Sequence, residues 1–277
     1  MTTLQIGKYT ITGQCWASHG SILILHGWKI AFDCGTIPEE MIGKLMGCRH
    51  ICITHGHGDH IGRLHSIPML RKRKELDPAT ILLPGACVKD WLQAYASLAK
   101  INGGAPRLPR GTDVINVSTK PVTQVGKDLY IHALPTIHRV PSVGYVLTEI
   151  RRKLKKEYIG LPGKEIGQLK KDGVKITDDV EVPLFAYTGD TTIEGLLQHP
   201  MFLEAEVLIT ECTYIDDEID EKTCKERGHI HLKELVEHHD KIKGQLVLCH
   251  FSPRFSKDEI IHAVDEMEWK KKPLLLI

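Results

Sequence analysis

Between Thr54 and Ile61 the chain reads His55-Gly56-His57-Gly58-Asp59-His60, three imidazoles and a carboxylate within six residues. These are the ligand types that zinc and neighbouring metals take in sites that do chemistry. Gly56 and Gly58 carry no side chain, so the backbone can curl tightly and aim alternate residues at one point. The run before them, His50-Ile51-Cys52-Ile53-Thr54, is rich in β-branched residues and reads as a strand, while Asp59 and His60 open a stretch with helical spacing. Open α/β sheets keep their sites where strands end. The motif therefore demands a fold that brings further strand ends to the same edge.

The pattern around it is consistent with such a fold. Strand-like runs fall at 9–12, 21–25, 29–33, 122–125, 129–134, 144–149, 183–187, 207–210 and 245–249, with helical spacing at 38–46, 88–100, 232–239 and 257–267. Strands interleaved with helices argue for a layered α/β protein. Trp91, Leu92, Tyr95 and Leu98 are expected on one buried helix face. Phe202, Leu203 and Trp269 suit either a core or an interface. With 277 residues and no repeat or linker, a single domain is expected, with a segment of different texture at about 150–182.

Net charge is +1, so no global field draws the protein onto nucleic acid, and any such affinity must come from local patches. The eight cysteines form no Cys-x-x-Cys pair and several sit in apolar runs, which suits buried thiols in a reducing compartment. The N-terminus lacks a basic and then apolar leader, and no apolar run nears about 18 residues, so the expectation is a cytoplasmic chain without membrane contact.

Three further ligands stand at the ends of other strand-like runs: His138 after 129–134, Asp190 after 183–187 and His250 after 245–249. The full set is then His55, His57, Asp59, His60, His138, Asp190 and His250. If Asp190 bridges, each of two cations has four protein ligands, an arrangement suited to phosphodiester hydrolysis.

With these residues in view, the chain resembles the metallo-β-lactamase superfamily. It is similar, more closely, to the ribonuclease Z (tRNase Z) branch in its short, plant-type form. The branch is marked by Glu211-Cys212-Thr213-Tyr214, Gly228-His229 and His250-Phe251-Ser252-Pro253-Arg254-Phe255, with Lys153-Leu-Lys-Lys-Glu-Tyr-Ile-Gly-Leu-Pro-Gly163 and Gly173-Val-Lys-Ile-Thr177 between. The resemblance implies a four-layer αβ/βα sandwich with two zinc ions at one edge; manganese and iron suit the same ligands. It implies that His55, His57 and His138 hold the first zinc, that Asp59, His60 and His250 hold the second, and that Asp190 bridges. It pairs Glu211 with His229 beside the metals, so that Asp59, Glu211 and His229 are the catalytic candidates. An imidazole oriented by a carboxylate can protonate a departing ribose oxygen, and His231 ranks second for that role.

The implied activity is removal of the 3′ trailer of precursor tRNA, leaving a 3′-hydroxyl, by a homodimer. Ser252 and Arg254 offer a hydroxyl and a fork-shaped cation to a phosphate. Arg151, Arg152, Lys153, Lys155 and Lys156 occupy the interval in which the family keeps its substrate-gripping arm. A second basic run, 71–74, is expected to cap a helix and stay solvated. Two departures stand out: residues 12–20 lack the family's Pro-x-Lys-Arg loop, and Arg63 stands where a glycine is common. The competing readings are a small-molecule phosphodiesterase, acting for example on cyclic nucleotides, and a catalytically idle RNA-binding relative.

Overall fold

Two seven-stranded sheets are wired in the same way. The first runs β1 (Thr2–Ile6), β2 (Tyr9–Trp16), β3 (Gly20–Leu25), β4 (Ile30–Phe32), β5 (His50–Cys52), β6 (Thr80–Leu83), β7 (Asp113–Asn116). The second runs β8 (Val122–Gly126), β9 (Leu129–Thr136), β10 (Ser142–Leu154), β11 (Thr177–Tyr187), β12 (Val207–Glu211), β13 (Gln245–Cys249), β14 (Leu274–Leu275). In each sheet the first four strands pair antiparallel and the last four parallel. Short turns suffice for the antiparallel half; the parallel half needs crossovers, and helices supply most of them. This computed structural model describes the whole chain, Met1–Ile277.

The helices are α1 (Glu39–Met46), α2 (Gly58–Ile61), α3 (Ile67–Arg73), α4 (Gly85–Ile101) and α5 (Gly163–Lys171). They continue with α6 (Ile193–Leu197), α7 (Pro200–Glu204), α8 (Glu221–Glu226), α9 (Leu232–His238) and α10 (Lys257–Asp265). Alternation along single strands sets the layers. In β3, Leu23 and Leu25 point between the sheets, toward Phe32, Tyr145 and Phe185, while Ile22 and Ile24 pack with Met41, Leu45, Trp91 and Tyr95 of α1 and α4. In β10, Tyr145 and Leu147 share the inter-sheet core and Val146 joins Leu196, Leu235 and Ile260 of the outer helices. A strand buried on both faces reads as a continuous apolar run, as Ser21-Ile22-Leu23-Ile24-Leu25 does. The result is the expected four layers, helix, sheet, sheet, helix.

Three local expectations need correction. Leu92 is 37% exposed. The buried face of α4 is instead Trp91, Tyr95 and Ala99, spaced by four, and Leu92 lies a step around the helix from it. Arg71 is buried: its guanidinium donates to the carbonyls of Met46, Cys48 and Asp77 and so ties α3 to the end of α1. Only Lys72, Arg73 and Lys74 of that run stay exposed. The sequence reading did not resolve β1, β6, β7 and β14, of which β1, β7 and β14 are sheet edges and β6 lies between β5 and β7. Phe202 belongs to the outer core, and the Trp269 indole donates to the Val264 carbonyl at 2.9 Å.

The segment of different texture is a ribbon. Beyond Glu149 and Val182, strands β10 and β11 pair only with each other, from Ile150↔Glu181 to Leu154↔Thr177. A register shift between Leu147 and Thr148 precedes that departure, and such bulges bend and twist a strand. Residues 155–176 close the ribbon with a 3-10 turn at Lys156–Tyr158 and with α5, which buries no residue. No helix is long and apolar enough to cross a membrane. All eight cysteines are free, and every one except Cys87 is buried.

Candidate functional site

The parallel halves of the two sheets end at a common edge. Asp33 follows β4, His55 to His60 follow β5, Asp190 follows β11, Glu211 ends β12 and His250 follows β13; His138 comes from the turn after β9. Two of these residues hold left-handed backbone, Asp33 at φ 58° and His250 at φ 60°. Such conformations are costly for side-chain-bearing residues and persist where surrounding bonds hold them. Here the His250 N–H donates to the Cys15 carbonyl at 2.8 Å, tying β13 across to β2.

The imidazoles are oriented from behind. Thr54 Oγ1 has one proton, which the Asp33 carboxylate takes at 2.9–3.0 Å. The hydroxyl must therefore accept from His55 Nδ1–H at 3.0 Å, which leaves a lone pair on His55 Nε2. His138 donates through Nδ1 to the Gly228 carbonyl at 2.7 Å, and His60 through Nδ1 to Asp33 Oδ2 at 2.7 Å. Thr213 Oγ1 gives its proton to Glu211 at 2.6 Å and so accepts from His250 Nδ1 at 3.2 Å. Four imidazoles thus turn Nε2 toward the cluster, the arrangement that outer hydrogen bonds impose on metal-binding histidines.

Those nitrogens converge. His57 Nδ1 lies 3.0 Å from His55 Nε2 and 3.3 Å from His138 Nε2, and His60 Nε2 lies 3.3 Å from His250 Nε2. Asp190 is 3% exposed and stands between the two groups. Its Oδ1 is 3.4 Å from His60 and 3.3 Å from His250; its Oδ2 is 3.8 Å from His55 and 4.0 Å from His138. Asp190 Oδ1 is buried with no hydrogen-bond partner, a costly state for a carboxylate oxygen unless a cation meets it. Potential ligand atoms of His55, His57, His138 and Asp190 lie within 4.8 Å of one another, as do those of Asp59, His60 and His250. Both clusters could hold a metal ion.

The charges agree. Burial would raise Asp190 and Asp59, but the surrounding histidines hold both well below the usual carboxylate range. Burial would lower His60, but Asp190 and Asp33 outweigh it and raise its pKa to about 9; His250 is raised likewise, against burial, by Asp190 and Asp59. Burial pushes His55, His57 and His138 down, toward the neutral form that ligates. One end of the cluster attracts positive charge and the other keeps free nitrogen.

Beside the cluster, Glu211 is 1% exposed and fully engaged. It accepts from His229 Nδ1 at 2.9 Å, Thr191 N–H at 2.8 Å, Ile230 N–H at 3.2 Å and the Thr213 hydroxyl. His229 therefore carries its proton on Nδ1, while Nε2 has no protein partner and borders the cleft. His231 is excluded from that cleft by its own bonds. Its Nδ1 accepts from Lys233 N–H in the capping box of α9, and its Nε2 meets the Asp216 carbonyl at 2.8 Å.

The remaining candidates are dispersed. Ser252 lines the cleft. Arg254 is held by Asp216 at 2.5 Å and Glu218 at 2.8 Å and stacks over Phe255. Arg151 pairs with Glu149 and Glu206, Arg152 with Asp179 at 3.8 Å and Lys155 with Glu157 at 3.9 Å, while Lys153 and Lys156 have no acidic partner. All five lie on the ribbon, whose first cation is roughly 30 Å along β10 from Ser142 at the cluster edge. The sequence reading missed Asp33, which accepts from Thr54, His60 and Tyr187 and anchors the whole edge. An acid directly after Ile30-Ala31-Phe32 was the available signal. It also missed Arg139, next to His138, which lines the cleft.

Comparison with known proteins finds relatives over most of the chain. The chain is 34% identical to tRNase Z TRZ1 of Arabidopsis thaliana over 267 residues, covering 95% of this chain and 92% of that one. It is 32% identical to the chloroplastic tRNase Z TRZ2 of the same plant over 270 residues, 96% of this chain and 74% of that one. Among solved structures, the metallo-β-lactamase fold protein YhfI of Bacillus subtilis superposes with a TM-score of 0.62 at 17% identity, covering 96% of this chain and 95% of that one. The short form of human tRNase Z superposes with a TM-score of 0.58 at 20% identity, covering 88% and 93%. No family model matches the chain.

Proposed function

Because this chain belongs to the tRNase Z family, we propose that it is the metal-dependent endoribonuclease that removes the 3′ trailer of precursor tRNA. The observation that carries this reading is Asp190, whose unpartnered buried oxygen joins two ligand clusters beside a carboxylate-backed histidine. His55, His57 and His138 would hold one zinc ion and Asp59, His60 and His250 the other, with Asp190 shared; manganese and iron suit the same donors. Such a cation pair acidifies water and neutralises charge on a phosphodiester.

The chain's own residues do the rest. Asp33 and Thr54 hold the His55 and His60 imidazoles in one tautomer from behind. Glu211 fixes the His229 ring through Nδ1–H, so in the imidazolium form Nε2–H is the group that delivers a proton to the departing ribose oxygen. That oxygen would otherwise leave as an alkoxide, and its protonation gives the 3′-hydroxyl end of the tRNA.

We take the protein as one domain with its arm at 150–182, acting as a homodimer. The ribbon cations, far from their own site, support an arm that grips precursor tRNA bound at the partner subunit. The buried free cysteines suit a reducing compartment, here the cytoplasm. A zinc-loaded assay on a precursor tRNA with a 3′ trailer, run beside a cyclic-nucleotide panel, tests the reading. Cleavage just past the discriminator base is expected. Turnover of a cyclic nucleotide with an uncut precursor would overturn it.

A further inference from the structure

Two hollows meet at His229. The first, about 270 Å³, holds the cluster side chains His57, Asp59, Asp190 and His250. The second, about 320 Å³, shares Ala17, Ser18, Arg139 and His229 with the first and continues to Tyr214, Arg227 and Ser252. The second hollow has no carboxylate in its wall, although it adjoins a site built on carboxylates.

Its two arginines are also unneutralised. Arg139 has no acidic side chain within ion-pair distance, and Arg227 donates only to the Tyr214 hydroxyl, at 3.0 Å, while lying over that ring. Arg254, the cation first expected to meet phosphate, is committed to Asp216 and Glu218. Gly228 explains how Arg139 and Arg227 come to share a rim. It sits at φ 77°, and a Cβ there would lie 2.7 Å from His138 Nδ1 and 3.1 Å from the Arg139 nitrogen. Only glycine lets the 227–229 backbone press against 138–139.

Taking the proposed function as its premise, the placement follows from the reaction. Water adds to phosphorus and releases one proton, the bond from phosphorus to the ribose 3′-oxygen breaks, and that oxygen takes the Nε2 proton of the His229 imidazolium, which the released proton then restores. The nucleotide that owns the 3′-oxygen must then lie beyond His229 from the ligand clusters, in the second hollow. We propose that this hollow seats the nucleotide immediately 5′ of the cut. Arg139, with Arg227, binds that nucleotide's own 5′-phosphate. Guanidinium groups left without carboxylate partners are suited to bind phosphate oxygens in pairs.

The test uses a precursor tRNA in which a single uncharged methylphosphonate replaces the phosphate 5′ of the discriminator nucleotide. The wild-type enzyme should lose about tenfold or more in kcat/KM on this substrate. Arg139→Ala should lose a similar factor on the unmodified precursor and show little further loss on the methylphosphonate. Arg139→Lys should restore part of the loss. Arg254→Ala, if folded by circular dichroism, should stay as sensitive to the methylphosphonate as wild type. Equal sensitivity in wild type and Arg139→Ala, or no sensitivity in wild type, would overturn the proposal. An unmodified precursor left uncut by wild type would instead overturn the functional reading beneath it.

Discussion

Charged residues gather around both ends of strands β10 and β11, and the two ends are built differently. At the cluster edge Asp190, Glu211 and Asp33 are 3%, 1% and 0% exposed, and their neighbours are imidazoles and hydroxyls fixed in single orientations. At the ribbon end Arg152, Lys153 and Lys156 are open to water, Arg152 at 84%, and three of the five cations face acids of their own chain. Charges at the buried edge act at close range with little screening, whereas exposed pairs contribute about 0–1 kcal/mol each. Density of charge along a sequence therefore does not indicate where charge is available to a ligand. The arginines free to meet a phosphate beside the cluster, Arg139 and Arg227, belong to no basic run.

The contrast predicts effects of very different size. Asp190→Ala, which removes the carboxylate standing between the two clusters, should abolish turnover and strip bound metal, read by cleavage and elemental analysis on the same sample. Retention of either would break the account of the buried edge. His229→Ala should lower kcat by about 10²–10⁴-fold while leaving metal content unchanged. A variant with normal kcat would return the proton to another donor. Replacing Arg152, Lys153 and Lys156 together should weaken binding of intact precursor tRNA by only a few fold, with kcat preserved. Gel-shift titration reads this, and a loss confined to kcat would remove the ribbon from the substrate path.

The smallest effect concerns stability. Burial raises the Glu234 carboxyl to about 7, although its capping bond from His231 N–H opposes the shift. Its folded pKa exceeds its unfolded value, so the folded state holds the extra proton. The contribution is full at low pH and is lost as pH rises from about 4.5 through about 7. Glu234→Gln keeps the capping geometry and should flatten the fall in Tm across that window. An unchanged slope would assign the pH dependence elsewhere.

Much of the edge was legible because its chemistry is tied to strand ends. The glycine-spaced motif after β5, and His138, Asp190 and His250 each following an apolar run, mark positions where side chains converge whatever the loops do. Other parts were hidden for physical reasons. Asp33 looks like the polar end of a short strand until Thr54, His60 and Tyr187 are seen to converge on it. Residues 150–154 and 177–181 form strand without apolar alternation, because a ribbon that packs on nothing needs none. Arg71 lies in a run that reads as solvated, yet three backbone carbonyls bury it. Arg139 and Arg227 are neighbours only because Gly228 lets two distant turns touch.

The central claim is that the buried edge holds two cations through one shared carboxylate. It is tested most directly by counting zinc per chain after loading and desalting, in wild type and in His57→Ala. The account predicts two ions in wild type and one in His57→Ala, because that variant damages one cluster and leaves Asp59, His60, His250 and Asp190 intact. One ion in wild type would contradict it.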